Sequence, residues 1–157
     1  MKNNKGITLI ALVISIIVLL ILAGITIAML TGENGILNNA TKSKAYNELG
    51  AAKDKVGLTV SEAITEYFNT VYVSGTTAQY SKTGVRDKAI DAVADMETGK
   101  DLPVGVNFDN NGAAKPVKTG NSIGVFTLRY GDYTVEGTID NDGKLTWKDI
   151  EHSPANS

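Results

Sequence analysis

The chain of 157 residues contains no cysteine and a single histidine, His152. Without thiols there is no disulfide scaffold, no thiolate metal site, no covalently attached haem and no lipid anchored through cysteine. One histidine likewise excludes an imidazole-rich metal centre. Aromatics make up only 6 % of the chain, and the first of them is Tyr46. Charge is missing from one place in particular: residues 6 to 30 carry none, although the whole chain has 15 basic and 17 acidic side chains and a formal charge of −2. The average composition of an ordinary globular protein therefore conceals two objects, a hydrophobic anchor and a polar domain.

The anchor, Gly6 to Leu30, reads GITLIALVISIIVLLILAGITIAML. Its 25 residues make about 37 Å of helix at about 1.5 Å per residue, enough to cross a hydrocarbon layer of about 30 Å with tilt to spare. Its only polar side chains are Thr8, Ser15 and Thr26, whose hydroxyls can bond back to helix carbonyls. Lys2 and Lys5 precede the run and Glu33 follows it, so the positive-inside tendency expects a cytoplasmic N-terminus and an external C-terminal domain. An ordinary secretory signal fits less well. Its apolar region is shorter, and the one small-residue site, Ala23-Gly24, lies mid-run with Leu22 where a small residue is wanted. A plain uncleaved anchor is the other alternative.

At the junction a short basic leader, MKNNKG, ends in glycine and runs straight into ITLIALVISIIVLLILAGI. This resembles the class III signal of type IV pilins and pseudopilins. The resemblance covers about the first 30 residues and rests on basic leader, glycine and immediate apolar helix occurring together. It implies that a prepilin peptidase cuts between Gly6 and Ile7 and methylates the amine of Ile7, and that Thr8, Leu9, Ile10, Ala11 and Leu12 open the helix through which subunits assemble. It also implies as partners other copies or related pilin subunits in a helical filament, an inner-membrane assembly platform, and membrane lipid before assembly. The implied course runs from a single-pass cytoplasmic membrane protein to an extracellular filament on the cell surface. Two positions depart from the pattern. The usual aromatic first mature residue is Ile7, and the acidic fifth mature residue is Ala11. The family's carboxylate pairs with a neighbour's amine, so Ala11 leaves that amine in need of another partner, with Thr8 or free carbonyls available.

Beyond the anchor, Thr31-Gly32-Glu33-Asn34-Gly35 predicts a kink or linker over 31–35. Leu49, Ala52, Val56, Val60, Ala63 and Tyr67 recur at helical spacing and predict an amphipathic helix from about 36 to 68. Residues 69 to 84 read as a loop with a short strand at Thr70 to Val73. Val85 to Glu97 reads as a second helix, with Val85, Ala89, Ala92, Val93 and Met96 on one face. Strands are expected at Val104 to Phe108, Ser122 to Tyr130, Tyr133 to Asp140 and Lys144 to Lys148, with turns at Tyr130-Gly131-Asp132-Tyr133 and Asp140-Asn141-Asp142-Gly143. The expected architecture is α+β, a long N-terminal helix packed on an antiparallel sheet of about four strands, which is also the pilin-like fold. The domain organisation is leader 1–6, membrane or filament-core helix 7–30, linker 31–35, extracytoplasmic domain 36–150 and flexible tail 151–157.

Catalytic residues are not expected, nor a cofactor. His152 lies beside Ser153 and Pro154 in the tail, away from any nucleophile pattern. Thr98-Gly99-Lys100 lacks the upstream glycine loop of a phosphate site and reads as the end of the second helix. Asp140-Asn141-Asp142-Gly143 and Asp109-Asn110-Asn111-Gly112 have the oxygen-rich look of calcium loops but no spaced ligand pattern, leaving Asp140 and Asp142 as weak metal candidates against plain turn chemistry. Asn39-Ala40-Thr41 fits a glycosylation sequon, a three-residue pattern common by chance. Nucleic acid is not an expected partner: loss of Lys2 and Lys5 takes the charge from −2 to −4. Lys115, Lys118 and Arg129 form at most a local basic patch, with solvated lysines and arginine the simpler reading. The absence of aromatics before Tyr46 argues against a conducting stack in a filament core. The leading function is thus a filament subunit of a pilus-like or secretion-like system. The rivals are a permanently anchored surface binding module and, more remotely, an anchored enzyme.

Overall fold

The computed structural model describes residues 5–32, 35–73, 79–109 and 124–154, with side chains from Leu9 onward. The chain divides into two compact units, Met1–Ser43 and Lys44–Ser157.

The first unit holds helix α1 (Lys5–Thr31) and the beginning of α2 (Ile36–Tyr72). Regular helix stops at Thr31, where Gly32 N–H donates to Ala28 O at 2.9 Å. Gly35 N–H donates back to Gly32 O at 2.6 Å, and Asn38 Nδ2, in the first turn of α2, reaches the same oxygen at 3.0 Å.

In the second unit α2 and α3 (Lys82–Ala94) combine with an antiparallel sheet, giving an α+β fold. The strands are β1 (Asn107–Phe108), β2 (Gly124–Tyr130), β3 (Tyr133–Ile139), β4 (Leu145–Trp147) and β5 (Glu151–His152). The sheet order is β1-β2-β3-β4, and β5 pairs with β3 beyond β4. A two-residue hairpin, Gly131-Asp132, sets Tyr130 opposite Tyr133 and thereby the whole β2–β3 register. Gly131 has φ 57 and Asp132 is not in the left-handed region, the II′ pattern that matches strand twist.

Period-2 alternation then sends Phe126, Leu128, Val135 and Ile139 inward, where all are fully buried. They meet Leu49, Ala52, Val56 and Val60 of α2 and Ala89, Ile90 and Val93 of α3. Phe126 lies opposite Gly137, where a Cβ would come within 2.5 Å of the Phe126 ring and 2.8 Å of Trp147. The bare glycine gives those two rings their seat.

Several expected boundaries move. No strand forms at 70–73: α2 runs on to Tyr72, stabilised by Phe68 stacking on Tyr72 with centroids 6.0 Å apart, one helical turn away. The second helix starts at Lys82 because Ser81 caps it, its hydroxyl accepting from Gly84 N–H at 3.3 Å, and it ends at Ala94. Thr98-Gly99-Lys100 therefore does not end that helix. It belongs to a separate turn in which Gly99 N–H donates to Leu102 O at 3.0 Å. The first strand shrinks to Asn107–Phe108, since Gly105 with φ 89 breaks extension and Val104 stays exposed. The tail is held at its start: Glu151 and His152 pair with Thr134 and Tyr133.

Gly143 closes the β3–β4 turn with φ 79, and a Cβ there would lie 2.7 Å from Val85 Cγ1. Gly143→Ala combines left-handed strain with overpacking and is expected to cost about 1 to 3 kcal/mol. The urea midpoint, followed through the fluorescence of Trp147, the single tryptophan, should fall at unchanged m-value.

Candidate functional site: an uncovered apolar helix

The conspicuous surface belongs to α1. Every residue from Leu9 to Thr31 is exposed, including Leu9 at 64 %, Ile10 and Leu12 at 61 %, and Leu20 at 67 %. Within a window of mean hydropathy 3.2, none of the helix is buried by its own chain. Burial of apolar surface yields about 25 cal/mol per Å², so a helix of this kind left in water would be strongly disfavoured. It is long and apolar enough to cross a membrane.

The polar side chains of α1 among the described ones, Ser15, Thr26 and Thr31, bond back to its own carbonyls. Ser15 Oγ donates to Ala11 O at 2.8 Å, and Thr26 Oγ1 lies 2.9 Å from both Leu22 O and Ala23 O. Thr31 Oγ1 does the same with Ile27 O at 2.9 Å. The outer surface thus offers hydrocarbon almost exclusively, a match for lipid tails or for other helices of the same character. Gly6 and Ile7 fall within the helical backbone of α1, while the side chains of 5–8 lie outside the described ones. Ala11 is exposed and carries only its methyl group.

Asp140 and Asp142 sit in the turn between β3 and β4. Asp140 Oδ1 accepts from Asp142 N–H and Lys144 N–H, both at 2.9 Å, which is turn-closing chemistry. Asp142 pairs with Lys82 at 2.8 Å and holds that ammonium above the ordinary lysine range through this hydrogen bond and its charge. A raised folded-state pKa makes such a tie complete at neutral pH and lost only in strongly alkaline solution. Among the described residues no three His, Cys, Asp or Glu side chains gather as metal ligands.

Arg129 is not part of a solvated basic patch. Its Nη2 meets Asp109 Oδ2 at 2.8 Å, both side chains are mostly buried, and its Nη1 donates to the carbonyls of Ser153 and Gly131. Asp109, first residue of the other oxygen-rich loop, is engaged by this pairing; Lys115, Lys118 and residues 110–112 lie outside the described residues. His152 packs on the Tyr133 ring, centroids 5.0 Å apart. Asn39-Ala40-Thr41 sits on the exposed start of α2, with Thr41 Oγ1 bonded back to Leu37 O at 3.0 Å.

Two features carry no clear signal in the residue pattern. Arg86 is buried, gripping Asp87 Oδ1 through Nε and Nη2 and Asn141 Oδ1 through Nη1. An open groove of about 720 Å³ follows the last turns of α2, lined by Glu62, Thr65, Glu66, Phe68, Tyr72 and neighbours. The i, i+4 pair Phe68/Tyr72 is the one sequence cue to it. Comparison with family models, curated proteins and solved structures returns no match for the chain.

Proposed function

We propose that this chain is a structural subunit of a type IV pilus-like or type II secretion-like filament, held in the cytoplasmic membrane by α1 until the leader is removed after Gly6. The observation that carries this reading is the conjunction at the N-terminus: Lys2 and Lys5, then Gly6, then a helix whose described surface is uncovered and almost wholly apolar. In lipid that surface is satisfied by acyl chains. In a filament it exchanges them for neighbouring anchors, so assembly depends on close packing rather than a fresh hydrophobic gain. Each anchor meets a different face of the next, and such heterologous contacts that do not close a ring produce filaments. The pilin-like architecture implied by the resemblance agrees with helix followed by antiparallel sheet. No catalytic role is assigned, and the domain outside the membrane is the part presented on the cell surface.

Shearing cells and probing the released material tests polymerisation. Sheared filaments containing the chain are expected. A chain confined to the membrane with its leader intact would instead fit a permanently anchored binding module.

Ala11 sets this subunit apart, because the new amine of Ile7 has no carboxylate awaiting it at the usual position. The Thr8 hydroxyl is the nearest replacement in sequence. Thr8→Val is therefore expected to reduce the chain in sheared filaments several-fold, whereas Ala11→Glu leaves it unchanged. Quantitative immunoblots of sheared and membrane fractions decide this, and the opposite ranking would remove Thr8 from the role.

A further inference from the structure

The outer side of α2 carries charges in a regular order, in which Glu48 is half-buried and acts on Lys44 of its own domain while Lys55 and Glu62 are exposed. Glu48, Lys55 and Glu62 follow one another at intervals of seven residues, two helical turns, so they lie along one line of the helix. Beside them, at the same interval, run Ala51, Leu58, Thr65 and Tyr72, all exposed, with Leu58 at 60 % and Tyr72 at 67 %. Lys44 and Lys53 are placed over the Tyr130 and Trp147 rings at 5.9 and 5.6 Å, leaving Lys55 as the exposed cation of this line.

We infer that this face docks a second copy of the chain, parallel and displaced by seven residues, with Lys55 of one copy against Glu62 of the next. The inference rests on the filament reading, which makes all copies enter from one membrane and so run parallel. Given parallel helices, zero displacement sets Glu48, Lys55 and Glu62 each against its own kind, and a fourteen-residue shift sets Glu48 against Glu62. Of these three registers, only the seven-residue shift, about 10 Å along the axis, opposes unlike charges: exposed Lys55 with exposed Glu62, and Lys55 with the half-buried Glu48. The same shift lays Leu58 over Thr65 at the edge of the groove that Phe68 and Tyr72 line, and Ala51 over Leu58. Repulsion in the wrong registers selects the stagger, as charge patterns do in helix pairing generally.

The cysteine-free chain makes the test direct. Leu58→Cys and Thr65→Cys in one chain stand about 10 Å apart along α2, too far for a disulfide within the chain. Mild oxidation of sheared filaments carrying both is expected to give a ladder of covalent multimers. Leu58→Cys alone should remain monomeric, since it self-links only in an unshifted or two-fold antiparallel pair. Adding Lys55→Glu to the double variant should cut the ladder by about fivefold or more. Filaments that shed normally but give no ladder, a self-linking Leu58→Cys chain, or a ladder indifferent to Lys55→Glu would each overturn the stagger while leaving the filament reading intact. An unprocessed chain with no sheared material would remove both.

Discussion

Gly6→Val should leave the leader attached and abolish export of the chain into sheared filaments while leaving its membrane level unchanged. The branched side chain enlarges the residue at which the proposed peptidase cuts, and the two lysines upstream then remain joined to α1. On insertion scales each lysine in an apolar helix environment costs about 3 kcal/mol, so drawing Lys2 and Lys5 into a filament core costs about 6 kcal/mol. That exceeds what packing between apolar helices readily supplies, since lipid already satisfies the same surface. Intact mass and shearing yield, taken together, read the outcome. Normal filaments from an uncleaved chain would show that the leader is compatible with assembly and would refute the processing step.

Phe126→Ala has the largest expected effect on the fold. Phe126 is fully buried, lies 6.0 Å from the Phe108 ring and 5.5 Å from Trp147, and occupies the space that Gly137 leaves open on the neighbouring strand. Truncation removes one side of each ring pair and opens a cavity that the β2–β3 pairing prevents from collapsing. A loss of about 3 to 5 kcal/mol is expected, a large part of the stability of a domain this size. Denaturant unfolding followed by circular dichroism measures it. Cleavage at Gly6 should persist in this variant, because it depends on the leader and α1, so processing without filaments is the expected phenotype. A change below about 1 kcal/mol would mean that the β2–β3 core relaxes around the gap.

The long apolar helix was readable because fitness to cross a membrane is a property of length and composition over a wide window, here 25 uncharged residues. The packed stripe of α2 was readable for the same kind of reason, its spacing being periodic through Leu49, Ala52, Val56 and Val60, all buried. What escaped was decided by pairs distant in sequence. Thr70 to Val73 has strand-like residues, but the ring contacts of Phe68 and the two hydrogen bonds between Tyr67 Oη and Ser81 keep the helix going. Glu151 and His152 look like a polar tail until β3 offers them a free edge below β4. Arg129 looked solvated because Asp109 lies 20 residues away, beyond any local pattern. At the candidate site the pattern supplied the surface and the cleavage hypothesis. The stagger on α2 needed the exposure of Leu58, Lys55 and Glu62 to be known before their spacing acquired meaning.

The central claim is that the chain is processed at Gly6 into an assembling subunit, and the mass of its mature N-terminus tests that most directly. The account predicts a chain beginning at Ile7, one methyl group heavier than the bare sequence. A chain retaining Met1, or one cut near Ala23, would contradict it.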